Sequence, residues 1–335
     1  MSLPPSGEIP QGAIRFNTDF QRLEFYAQDQ WWIMSTDTPN LGRTVEPTPG
    51  PRGLFGGGDV PGTGRVIDYI NIATAGDSAT FGDLTQARQR GGSCASRVRG
   101  YHLGGLNPGH TTDMDTYVIA STGSVTDYGN LSTSSGLGAA CSSSTRGLHA
   151  QGSPNEAIDY FVLSSTGSGI SFGSLTDARN RLSAVSNPVK ALFGGGYSPG
   201  NVNTIDYATI ATLGGVQDYG DLTVARHGLA AAGNATRGIF SGGASSILDN
   251  VMDFVTITSG GNAANFGDLT VRREYVAACS SPTRMVIGGG QTPTPSIVNT
   301  MDYVNIPTQG DAVDFGDLTF AKFGTAGCSN AHGGL

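Results

Sequence analysis

Phe266-Gly267-Asp268-Leu269-Thr270 recurs along the chain at nearly constant distance. The other copies are Phe81-Gly82-Asp83-Leu84-Thr85, Tyr128-Gly129-Asn130-Leu131-Ser132, Phe172-Gly173-Ser174-Leu175-Thr176, Tyr219-Gly220-Asp221-Leu222-Thr223 and Phe315-Gly316-Asp317-Leu318-Thr319. Successive first residues lie 47, 44, 47, 47 and 49 apart. That period belongs to four-stranded repeat units rather than to helical arrays. Around the fifth copy the four strand-like pieces are Tyr275–Cys279, Arg284–Ile287 closed by Gly288-Gly289-Gly290, Met301–Ile306, and Ala312–Phe315. The third piece is apolar or aromatic on both faces, as expected of a strand sandwiched between neighbouring sheets. The first piece is built from Ala, Cys, Ser and Gly, which suits the innermost strand of a crowded ring.

The spacing between markers locates the core. From the third-strand aspartate (Asp68, Asp115, Asp159, Asp206, Asp253, Asp302) to the third residue of each motif is 15 residues in all six copies. From there to a small apolar slot is 11 residues, again in all six. Only the connection between the second and third strands varies in length, so its face of the ring is where function is expected. The repeat begins at Arg52 with a second strand, and Ala321–Cys328 is an extra first strand. The expected fold is therefore all-β: a six-bladed β-propeller closed by the C-terminal strand, which removes unpaired sheet edges.

Three segments follow from this reading. Residues 1–34 form an N-terminal β-meander, residues 35–51 a Pro-rich linker, and residues 52–335 the propeller. The meander holds both tryptophans of the chain, and Phe16, Phe25, Tyr26, Trp31 and Trp32 are its candidate docking residues. Aromatic residues are enriched in interfaces; the alternative is that the meander packs on its own propeller.

Composition bounds the partners. Gly contributes 51 of 335 residues, roughly double the usual ~7%. Charged residues make up 14% and the net charge is −8, which argues against a duplex nucleic-acid partner or an anionic membrane surface. No run approaches the ~18 apolar residues of a membrane span, and Met1–Glu8 has no secretory character, so a soluble protein made in the cytoplasm is expected. Cys94, Cys141, Cys279 and Cys328 share the small apolar slot with Val185 and Ala232, and read as buried thiols rather than metal ligands. No cofactor or metal is expected. The repeated aspartates and the basic residues at 88, 179, 226, 273 and 322 read as buried ion pairs, with Ser135 replacing the base in the second copy. Sixfold repetition argues for a structural rather than a catalytic role, and the chain is expected not to be an enzyme.

The repeat resembles the kelch motif of β-propellers, with Phe or Tyr where kelch repeats carry Trp near the end of the fourth strand. More specifically, Gly12-Ala13-Ile14-Arg15-Phe16-Asn17-Thr18, Leu23-Glu24-Phe25-Tyr26 and Trp31-Trp32 look like a short module of tailed-bacteriophage virion proteins, particularly tail fibres and related appendages. The Ile-Asp-Tyr…Phe-Gly-Asp-Leu-Thr…Ala-Arg repeat is similar to those of virion proteins of aquatic phages. The resemblance implies a virion structural protein whose partners are other virion proteins of tail, neck or capsid, sister copies in a homo-oligomer, and a host-surface glycan. Asn107, His110, Asn155, Glu156, Tyr197, Asn201 and Gln291, in the variable connections and off the repeat pattern, are the candidate binding residues. Rival expectations are a free lectin-like or scaffold propeller and a glycan-cleaving propeller, the latter needing converging carboxylates.

Overall fold

The computed structural model describes residues 9–17, 22–33, 50–59, 64–123, 125–152, 156–294 and 296–335. It is all-β, and no helix occurs among the described residues. The chain divides into two compact units, Met1–Thr48 and Pro49–Leu335. Most of the expected linker, 35–49, lies outside the described residues.

In the first unit β1 (Ile14–Asn17), β2 (Arg22–Ala27) and β3 (Gln30–Ile33) form an antiparallel meander, turned at Gln28 and Asp29, whose φ values are 52° and 60°. The register pairs Ile14 with Phe25 and Phe25 with Trp32, but Tyr26 with Trp31. Strand alternation therefore splits the five docking aromatics between two faces. Phe16 and Trp32 are exposed on one, whereas Tyr26 is buried and Trp31 lies under Arg15, 4.1 Å away, on the other. Arg15 also forms an ion pair of 2.7 Å with Glu24. Phe16, Phe25 and Trp32 thus share one face of the meander, and Tyr26 and Trp31 the other.

The second unit contains, among the described residues, six four-stranded antiparallel sheets. The first comprises β4 (Arg52–Gly56), β5 (Val66–Asn71) and β6 (Ala79–Asp83), with a fourth strand from the C-terminus. The second comprises β7 (Gly92–Ala95), β8 (Arg99–Leu103), β9 (Thr111–Val118) and β10 (Thr126–Ser135). The third runs β11 (Ala139–Ser142), β12 (Arg146–Ala150), β13 (Ala157–Val162) and β14 (Ile170–Ser174). The fourth runs β15 (Ser183–Ser186), β16 (Lys190–Gly194), β17 (Thr204–Thr209) and β18 (Gln217–Asp221). The fifth runs β19 (Ala230–Gly233), β20 (Arg237–Ser241), β21 (Val251–Thr256) and β22 (Ala264–Asp268). The sixth runs β23 (Ala277–Ser280), β24 (Arg284–Gly288), β25 (Thr300–Asn305) and β26 (Val313–Asp317). The last strand, β27 (Ala326–Ser329), returns to pair with β4. The short strands β7, β11, β15, β19, β23 and β27 neighbour one another in a cycle, β27 lying beside β7. This arrangement is consistent with a β-propeller-like fold.

The repeated motif explains itself in the geometry. In every sheet a bulge between the third and fourth strands leaves the motif aromatic without a Cα partner. A bulge re-aims a side chain, and Phe81, Tyr128, Phe172, Tyr219, Phe266 and Phe315 are all buried. The glycine that follows abuts a turn of the next sheet: a Cβ on Gly82 or Gly129 would sit 2.6 Å from the carbonyl oxygen of Gly123 or Gly167. No side chain fits so close a backbone approach. Across the same contact the amides of Gly123, Gly167, Gly214, Gly261, Gly310 and Gly76 donate to the carbonyls of the six aromatics. The last of these bonds joins the sixth sheet to the first.

A threonine and a base complete five of the six junctions. Thr85 Oγ1 donates to Asp115 at 2.6 Å, Thr176 to Asp206 at 2.7 Å, Thr223 to Asp253 at 2.6 Å, Thr270 to Asp302 at 2.8 Å and Thr319 to Asp68 at 2.5 Å. The base three residues later reaches the same carboxylate: Arg88 pairs with Asp115, Arg179 with Asp206 at 3.0 Å, Arg226 with Asp253 at 3.1 Å, Arg273 with Asp302 at 2.8 Å and Lys322 with Asp68 at 3.0 Å. All ten residues are buried. Burial pulls Arg226, Arg273 and Lys322 below their ordinary pKa values, and the facing aspartates oppose that shift. Each motif thus binds the aspartate of the following sheet.

The second junction uses neutral donors instead. Ser132 donates to Asp159 from its amide at 2.8 Å and its hydroxyl at 2.7 Å. Where the others place a base, Ser135 bonds His149 Nε2 at 2.9 Å and donates to the Gln151 carbonyl at 2.6 Å. Burial holds His149 down to about 4 despite the nearby Asp159, and holds His102, at the same position one sheet earlier, to about 3, with Arg88 and Lys322 adding to the effect. Both imidazoles are neutral in the folded protein at pH 7 and take up protons on unfolding below ~6.5. Folded-state pKa values below the unfolded one give stability that is present above pH 6.5 and drains as the pH falls toward 4 and 3, by about 1.4 kcal/mol per pH unit for each histidine. We expect the melting temperature to drop steeply between pH 6.5 and 4. His102→Phe, a change to the residue that Phe55, Phe193 and Phe240 supply at equivalent positions, should flatten that slope; the same slope in the variant would contradict the assignment.

Candidate functional site

Two residues after each junction base the backbone turns left-handed. Arg90, Leu137, Arg181, Gly228, Tyr275 and Gly324 have φ values of 57°, 67°, 58°, 67°, 51° and 62°. Their amides form a closed circle: Arg90 N donates to Gly324 O, Gly324 to Tyr275, Tyr275 to Gly228, Gly228 to Arg181, Arg181 to Leu137 and Leu137 to Arg90, over 2.6–2.9 Å. The circle rims a cavity of about 110 Å³ whose deeper wall is the Ala, Gly and Ser of the inner strands. A second cavity further along is lined by Cys94, Cys141, Cys279 and Cys328, all buried, with His332 and Gly333 beside them. His332 Nε2 bonds the Ala95 carbonyl at 2.8 Å and Gly333 N donates to Gly233 O at 3.1 Å, so the C-terminal residues cross from one side of the ring to the other. Burial pushes Cys141 up to about 12 and Cys328 to about 11, which keeps both as thiols.

The rim does not share the sixfold regularity of the junctions. The Arg90 guanidinium lies 4.3 Å from the Tyr275 ring centre and 5.4 Å from that of Phe323, and Arg181 approaches the same tyrosine at 5.8 Å and Tyr197 at 5.7 Å. Between Arg181 and Glu274 stands His227. With the imidazole neutral, its Nδ1–H donates to Asn201 Oδ1 at 2.6 Å while Nε2 accepts from Arg181 Nη1 at 3.3 Å. Glu274 Oε2 is 3.5 Å from Nε2. Burial lowers the His227 pKa, with Arg181 adding to it, and burial raises that of Glu274 against the pull of Arg181 and Arg90. No protein-family model and no curated protein matches this chain.

The structure brings three of the seven candidates to this rim. Tyr197, 39% exposed, packs edge-on to His227 at 5.7 Å, Asn201 holds that histidine, and Gln291 exchanges backbone hydrogen bonds with Glu274. Asn107 and His110 sit exposed on one turn of the second sheet, and Glu156 is exposed at the start of the third sheet's β13. Asn155 lies outside the described residues. Arg90, Arg181, His227, Glu274 and Tyr275 were not expected. Their signal is a break in residue type inside a connection of fixed length: glycine at 228 and 324 gives way to Arg, Leu, Arg and Tyr at the equivalent positions.

Proposed function

We propose that the chain is a non-enzymatic recognition protein built as a six-bladed, kelch-like β-propeller, carried by an N-terminal docking module on the virion of a tailed bacteriophage. The observation that carries the binding reading is the asymmetric rim. The side chains that repeat are consumed in junctions, whereas Arg90, Arg181 and Tyr275 line one cavity and Tyr197, His227 and Glu274 pack beside them, without a sixfold counterpart. A concave site with a few convergent polar groups is the usual form of a ligand site. The propeller reading is supported by the cycle of inner strands and by the junctions that tie the sixth sheet to the first. The virion reading is supported by the resemblance of the meander and by Ile14, Phe16 and Trp32, which are 63%, 58% and 43% exposed. Large apolar residues left in the open mark interaction surfaces.

Light scattering tests the docking module. The full chain should form an oligomer, and a chain beginning at Gly50 should be a monomer with the same β-sheet circular dichroism. Monomers in both cases would remove self-association and leave virion partners or a free lectin-like role. Binding to a glycan array would then decide between those two.

A further inference from the structure

We propose that the rim between Arg90 and Arg181 binds the oxyanion, carboxylate or sulfate, of an acidic saccharide. This rests on the recognition reading above and names the ligand class of that site. Both guanidiniums face one tyrosine, Tyr275, and among the described residues the Nε atoms of Arg90 and Arg181 are buried without a hydrogen-bond partner. Buried donors ordinarily have acceptors, and arginine offers a planar fork that matches an oxyanion. Glu274 Oε2 lies 3.5 Å from the unprotonated His227 Nε2, and burial disfavours its charge.

The backbone points the same way. Gly228 and Gly324 show that glycine serves at this left-handed position, yet the chain places Arg90, Leu137, Arg181 and Tyr275 there with φ of 57°, 67°, 58° and 51°. Strained backbone held by its surroundings clusters at ligand sites. The cavity of about 110 Å³ has room for roughly four waters at ~30 Å³ each, enough for an oxyanion and the first atoms that carry it. Tyr197, exposed beside Arg181 and His227, supplies an aromatic flank for the rest of the sugar ring. An acidic peptide fits less well, because extended peptides gain affinity by adding main-chain hydrogen bonds. Here all six rim amides already donate to one another.

Calorimetric titration of the full chain with glucuronate, galactose 6-sulfate, glucose and inorganic sulfate tests this. We expect one or both acidic sugars to bind, glucose to give no heat, and Arg90→Gly and Arg181→Gly each to weaken binding at least tenfold. Glycine is safe at both positions because the chain uses it at 228 and 324. Equal binding of glucose and glucuronate, unchanged affinity in both variants, sulfate as tight as the sugars, or preference for a Glu-rich peptide would each overturn the proposal. Retained capture of a neutral glycan by both variants would overturn it while leaving the recognition reading intact. Absence of binding to every saccharide on a broad array would overturn both.

Discussion

Removing residues 325–335 should abolish cooperative folding of the second unit. Those residues contain β27, whose pairing with β4 sets Ala326 against Gly56, Gly327 against Phe55, Cys328 against Leu54 and Ser329 against Gly53. The same segment supplies Thr325, which donates to Gly56 O at 2.9 Å, and Asn330, which accepts from Arg52 N at 2.9 Å. Without it Leu54 and Phe55, both 0% exposed, lose one wall. Exposing two such side chains costs about 3–6 kcal/mol, before counting four lost ladder positions and an open gap between β23 and β7. Total stability of a domain is only ~5–15 kcal/mol. Thermal unfolding followed by circular dichroism should show no sharp transition, and gel filtration should show aggregation through the bared β4 edge. A sharp transition within a few degrees of the full chain would mean that β27 does not close the ring.

The pairing of β27 with β4 was legible because it rests on counting. The distances of 15 and 11 residues between aspartate, motif and small slot are the same in every copy, so a second strand without its first, at Arg52, could be matched to the unpaired first strand at Ala321–Cys328. The pairing of aspartate with base was legible for a similar reason: a buried carboxylate needs a partner, and Arg88, Arg179, Arg226, Arg273 and Lys322 recur at one fixed place in the repeat. Which copy supplies that partner was not legible, since a period measured along the chain does not say that Thr223 and Arg226 reach forward to Asp253 rather than back to Asp206. The rim was missed on physical grounds as well. Variation in loop length is visible as a broken count, whereas Arg90, Arg181 and Tyr275 replace glycine without changing any distance. Nothing in an arginine or tyrosine announces a left-handed backbone. The meander aromatics were grouped by composition, and the register of β1, β2 and β3 divides them.

Arg226→Ala should destabilise the second unit by about 3–5 kcal/mol, the cost of leaving a buried carboxylate without its cation. In melting temperature that is roughly 10 °C for a unit of this size. Arg226 is 0% exposed, donates to the Phe240 carbonyl at 3.2 Å and to Asp253 at 3.1 Å, and its loss strands both acceptors. The chain contains two natural controls. Lys322 performs the same task for Asp68 and also donates to the Phe55 carbonyl at 3.1 Å, so Arg226→Lys should cost least. At the second junction Ser135 and His149 replace the base, so Arg226→Ser combined with Phe240→His should recover part of the loss suffered by Arg226→Ala. Recovery stays partial because Gln151, whose Nε2 donates to Ser132 Oγ at 3.0 Å, has Gly242 at its equivalent position, with φ of +64°. The expected order of loss is therefore Lys, then the Ser and His pair, then Ala, measured by thermal melting at pH 7, where the introduced histidine is neutral. If Arg226→Ala melts with the unaltered chain, the threonine bonds alone hold the junction. The repeated base would then need an explanation outside stability.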